Sequence, residues 1–72
     1  MTFREYIARR RRGDNPQGDF VEDARRDGRL PDAQSWPELK LYLMSRGTCG
    51  DAVEAAHAVW RGYQAAVRRQ SD

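Results

Sequence analysis

The chain has 72 residues, 39% of them hydrophobic and 33% charged, with 13 basic and 11 acidic side chains and a formal net charge of +2. A chain of about 60 residues buries only roughly 60% of its unfolded surface, so one domain over residues 1–72 with a small core is expected and a cleft between two lobes is excluded. The lone cysteine, Cys49, precludes an internal disulfide, and no apolar run approaches the roughly 20 residues of a membrane span. A secreted domain of this size usually carries several bridges, and Ile7-Ala8 leads directly into four arginines where a signal peptide would need an apolar stretch. The expectation is a cytoplasmic protein. Charge is unevenly distributed: residues 1–12 hold five Arg and one Glu, residues 13–39 hold seven carboxylates against three Arg, and the remainder is mildly basic.

Thr2 followed by Glu5 reads as a capping box opening a first helix, with Phe3, Tyr6 and Ile7 on one face. Its last turn is expected at Arg9–Arg12, where cations complement the macrodipole, and Gly13 is the expected stop. Asp14-Asn15-Pro16 starts a second helix, with Phe20, Val21 and Ala24 as its apolar face and Gly28 as its end. Leu30-Pro31 is a buried anchor that cannot extend the helix. Ser35, Pro37 and Glu38 open a third helix that carries Trp36, Leu39, Tyr42 and Leu43 inward and stops at Gly47. Thr48 with Asp51 opens the fourth, in which Val53, Ala56, Trp60, Tyr63 and Val67 recur at intervals of three and four. No stretch alternates as a strand would. The expected class is all-α, a compact four-helix domain with a helical core over about residues 2–68.

Phe3-Arg4-Glu5-Tyr6-Ile7, then Gly18-Asp19-Phe20-Val21-Glu22-Asp23-Ala24, then Asp27 and Leu30-Pro31 form a recognisable series, continued by Tyr42-Leu43 and by Trp60 with Tyr63. In these residues the chain resembles the YozE-like family of small bacterial proteins, over roughly residues 2 to 64. The resemblance implies a four-helix fold similar to the sterile alpha motif, a protein-interaction and sometimes nucleic-acid-binding module, and it implies no activity. Ile7, Phe20, Val21 and Leu30 stand where the family often has Leu, Leu, Ala and Phe, exchanges of one hydrophobic group for another. The run Arg9–Arg12 is denser than the family pattern. A shared fold transfers function weakly.

Two patches are candidate contact sites. Arg9, Arg10, Arg11 and Arg12, fanned around one helix end, suit bidentate contact with phosphate, and Arg68 and Arg69 join them if the fourth helix ends nearby. Asp19, Glu22 and Asp23 make the second helix acidic, and Asp19, Asp23 and Asp27 recur every fourth residue on one face. Acid–base work would require one of these carboxyls to have a raised pKa, whereas exposed carboxylates beside Arg25, Arg26 and Arg29 stay ionised. Among the aromatic side chains Trp36, at the start of its helix, is the candidate to keep an exposed edge and anchor a partner.

Catalytic and metal chemistry find little support. Glu54-Ala55-Ala56-His57 has the spacing of paired ligands in helix bundles, but such a site needs a second motif and the chain has one histidine. Cys49 and His57 lie eight residues apart, about 12 Å along a helix, too far for a nucleophile and its base. No cofactor, metal site, small-molecule substrate or membrane partner is expected, and the chain reads as a non-enzymatic module. Two roles follow. One is a protein adaptor that can self-associate head-to-tail through its basic helix end and acidic second helix, the docking mode that the resemblance implies. The other is an accessory nucleic-acid binder that grips the phosphate backbone, DNA included, through Arg9–Arg12, although neither stacking aromatics nor base-reading Asn or Gln accompany the arginines.

Overall fold

The structure, a computed structural model, describes residues 1–10 and 16–70. These form four helices, α1 (Phe3–Arg9), α2 (Pro16–Arg26), α3 (Trp36–Ser45) and α4 (Gly50–Gln70), and no strand occurs among the described residues. Helix α4 is the axis against which the other three pack. Phe3 and Ile7 of α1, Phe20, Val21 and Ala24 of α2, and Leu39 and Leu43 of α3 close over Ala55, Ala56, Val59 and Trp60 of α4. Leu30 and Ala33, in the connection after α2, complete this core. The Cα radius of gyration, 11.5 Å, is close to the roughly 11 Å of a fully compact chain of this length.

Local signals set most of the boundaries. Thr2 Oγ1 accepts the Glu5 amide at 3.1 Å and Ser35 Oγ accepts the Glu38 amide at 3.4 Å, so both expected N-caps form. Helix α3 ends in a Schellman turn: Gly47, at φ +73°, donates to the Met44 carbonyl and Thr48 donates to that of Leu43. Only glycine adopts that φ without strain, which is why the stop falls there. Thr48 therefore closes α3, and α4 starts one residue later than its sequence suggests, with the Cys49 carbonyl accepting the Val53 amide at 3.0 Å.

Two boundaries depend on distant residues. Helix α1 stops at Arg9, not Arg12, because Arg10 is extended (φ −71°, ψ 137°). The freed carbonyls are taken up by Arg25 of α2: its Nε donates to Ile7 O at 3.0 Å, and its Nη2 donates to Ala8 O at 3.3 Å and to Arg10 O. At the other end, the Arg4 amide donates to Asp32 Oδ1 at 3.2 Å. A seven-residue helix is unstable alone, and this one is capped at both ends from outside its own segment. Helix α2 ends at Arg26 without help from Gly28, whose φ is not positive. Asp27 ends it, accepting the Arg29 amide at 3.0 Å while its carbonyl accepts the Leu30 amide. The expected stop at Gly13 and the cap candidates Asp14 and Asn15 lie outside the described residues.

Candidate functional site

The arginines of the first helix do not share one fate. Arg9 is exposed and makes no hydrogen bond or ion pair among the described residues. Arg10 is turned inward: Nη1 donates to Tyr6 Oη at 2.7 Å, Nη2 donates to Gln17 Oε1 at 2.9 Å, and its guanidinium lies 5.8 Å from the Tyr6 ring centroid. Gly62 of α4 makes room for this pair, since a Cβ there would stand 2.7 Å from Tyr6 Oη and 3.3 Å from Arg10 Nη1. Arg9 and Arg10 therefore do not point outward together, because the backbone leaves the helix at Arg10 and that side chain packs against Tyr6. Arg11 and Arg12 lie outside the described residues. Arg68 and Arg69 are exposed in the last turn of α4. Arg69, seven residues after Gly62, is on the same face as the contact with Arg10 and about 10 Å further along the axis.

The acidic residues divide as well. Asp19 and Asp23, one turn apart on α2, are exposed and unpaired among the described residues. Glu22 points away from them and accepts from Arg26 Nη2 at 2.9 Å. The two aspartates form one wall of a groove of about 650 Å³ between α2, the end of α3 and the start of α4. Asp51, in the first turn of α4, stands on the opposite wall, and Phe20, Ala24, Leu30 and Leu43 contribute an apolar floor. Asp51 stands in the sequence as a helix-start residue, one turn before the Glu54 and His57 pair. Nothing in the spacing places it opposite Asp19 and Asp23, because that depends on how α4 crosses α2.

One end of the groove is closed by a hydrogen-bonded cluster. Tyr42 Oη donates to Asp27 Oδ2, and Arg46 Nη1 donates to both Asp27 oxygens at 3.0 Å and to Tyr42 Oη at 2.7 Å. The Tyr42 hydroxyl, and after it the Arg29 amide and the Arg46 charge, hold the Asp27 carboxyl below its ordinary pKa of 3.8 against the opposing effect of burial. Arg46 is raised correspondingly, chiefly by the bond to Tyr42 and the charge of Asp27. This carboxylate is held ionised, the reverse of what a general acid needs. Its part is to tie the end of α2 to the end of α3.

The remaining candidates have structural neighbours. Trp36 is half-buried, with one ring face stacked on His57 at 4.4 Å and 14°. That stack leaves His57 packed against α3 and Glu54 exposed, and among the described residues no group of three His, Cys, Asp or Glu is arranged to hold a metal ion. Cys49 is exposed. The large apolar side chains most open to solvent are Leu41 and Met44, 70% and 59% exposed, on the outer face of α3. No helix of the described residues is long and apolar enough to cross a membrane.

The comparison with curated proteins found no match, and neither did the comparison with solved structures. One family model nevertheless matches. It covers residues 2–65 and is described as the YozE SAM-like fold, and the chain belongs to that family.

Proposed function

We propose that this SAM-like domain is a cytoplasmic protein-docking module that receives a basic protein segment in the groove between α2 and α4, and that it self-associates head-to-tail by this means. The observation that carries the reading is the convergence of Asp19, Asp23 and Asp51, all without an ion-pair partner among the described residues, around an apolar floor. Unpaired carboxylates beside apolar surface fit a cationic side chain with an aliphatic stem, which buries its methylenes and keeps its charge on the rim. The chain carries such groups at the far end of α4. Arg68 and Arg69 lie about 25 Å along the helix axis from Asp51, and Arg9 is also exposed, with no partner among the described residues. Opposite charges at opposite ends of one helix suit a heterologous contact, which repeats as a ring or filament.

Sedimentation velocity over a range of concentrations tests this. The wild type is expected to self-associate at low salt. Asp19→Asn/Asp23→Asn and Arg68→Ala/Arg69→Ala are each expected to be monomeric alone, and their equimolar mixture is expected to give a dimer, since each supplies the surface the other lacks. A wild type that stays monomeric at every concentration and low salt overturns the head-to-tail contact.

Arg9, Arg68 and Arg69, exposed and without a partner among the described residues, also support a second reading, accessory binding to the nucleic-acid phosphate backbone. Fluorescence anisotropy of labelled duplex DNA distinguishes the two. Backbone binding would weaken steeply with salt and depend on the arginines but not on Asp19 or Asp23.

A further inference from the structure

On the other side of the Asp27–Tyr42–Arg46 cluster lies a second, shallower depression of about 660 Å³, of opposite character to the groove. Arg26, Arg29 and Arg46 converge on it from the end of α2, the following turn and the end of α3. Asp27 is the carboxylate in its lining, and Asp27 is already engaged by Tyr42 and Arg46. Two of the three guanidiniums are anchored from behind. All of Arg46's bonds use Nη1, and its plane lies over the Tyr42 ring at 5.6 Å, so the Nε–Nη2 edge is left open on a side chain 49% exposed. Arg26 is held at Nη2 by Glu22. The Arg29 guanidinium has no partner among the described residues.

We infer that this depression is an oxyanion site that takes a carboxylate side chain of the docked protein segment. An anchored guanidinium with its Nε–Nη2 edge free presents the two parallel donors a carboxylate accepts, and it loses little freedom on binding. The choice of a protein carboxylate over a nucleic-acid phosphate follows from the neighbouring groove. The two depressions share Arg26, Asp27, Tyr42 and Arg46, so a ligand crossing from one to the other passes the unpaired Asp19, Asp23 and Asp51. A uniformly anionic strand is repelled there, whereas a segment with a cation for the groove and an acid for the shelf satisfies both. The inference rests on the protein-docking reading and adds to it the charge order of the partner and its direction across the surface.

The test does not pass through the groove. The isotope-labelled full chain is titrated at low salt with a tetraglutamate peptide and, separately, with a short single-stranded DNA, following backbone amide shifts. Tetraglutamate is expected to shift Gly28, Arg29, Ser45 and Arg46 saturably. Arg26→Ala/Arg29→Ala, a change of two exposed side chains, is expected to weaken this by roughly tenfold or more. Asp19→Asn/Asp23→Asn is expected to leave the peptide site in place. Shifts confined to the Arg9, Arg68 and Arg69 end, or equal binding by the arginine variant, overturn the site. Equal or tighter DNA binding at the same amides overturns its assignment to a protein carboxylate. Loss of self-association in the aspartate variant together with unchanged peptide binding by the arginine variant would retain the groove and reject the shelf.

Discussion

The C-terminal end of α1 and the groove beside α2 are both dense in charge, yet their side chains are placed for different ends. At the first, Arg10 is bonded to Tyr6 and Gln17, and Arg25 reaches across to three carbonyls of the α1 end. These cations complete backbone and side-chain hydrogen bonding within the molecule. Along the groove Asp19, Asp23 and Asp51 face solvent with no such partner among the described residues, over an apolar floor. Charge density along the sequence therefore does not by itself tell which side chains the fold engages: Arg10 is bonded within the molecule, whereas Asp19 and Asp23 have no partner among the described residues.

The largest break on the structural side is at Phe3, fully buried against Trp60 and Tyr63 with ring centroids at 5.1 and 5.4 Å. Phe3→Ala is expected to cost about 3–5 kcal/mol, a large fraction of what a domain this small possesses. Phe3→Leu, which keeps most of the volume, is expected to cost about 1.5 kcal/mol or less, and urea unfolding measures both. A cost for Phe3→Ala no larger than that of Phe3→Leu would mean that α1 does not anchor the core.

The next effect separates the two regions directly. Arg25→Ala removes the donors from the α1 carbonyls and is expected to lower the melting temperature by roughly 5–10 °C. Asp19→Asn/Asp23→Asn is expected to leave the dilute monomer unchanged or slightly more stable, because like charges one turn apart are relieved. Thermal melts at one low protein concentration compare them, and equal losses in both variants would remove the distinction.

The smallest effect is one of pH and concerns Asp27. Its folded pKa is depressed, so the stability it contributes is fully present above its ordinary value of 3.8 and is lost as pH falls through the lower folded value. The gap in melting temperature between wild type and Asp27→Asn is expected to hold from neutral pH to about pH 4 and to close below it. A gap that widens on acidification would contradict the ionised pairing with Tyr42 and Arg46.

Much of this architecture was legible in sequence because its determinants are local. Thr2, Ser35 and Gly47 act within a few residues of themselves, and Phe20, Val21 and Ala24 reveal a buried stripe by spacing alone. What escaped depends on contacts across the chain. The end of α1 at Arg9 is stabilised by Arg25, which from the sequence reads as a partner for nearby aspartates. The engagement of Trp36 depends on His57, 21 residues away and placed by the crossing of α3 and α4. Asp19 and Asp23 were legible as one acidic face, but the groove was not, since Asp51 and Leu43 join it from other helices. Glu22, adjacent in sequence to Asp23, turns to Arg26 because successive helical residues diverge by about 100°.

The capping of α1 from outside has a consequence for the order in which the molecule comes together. Neither Asp32 nor Arg25 is in place until α2 and the turn after it have docked, and seven residues cannot hold helical shape before then. Helix α1 is thus expected to consolidate after α2 and to open before it, baring Trp60 and Tyr63 while α2 and α4 stay joined. Native-state amide exchange reads that order directly: the amides of residues 6–10 are expected to exchange faster than those in the middle of α2 and α4.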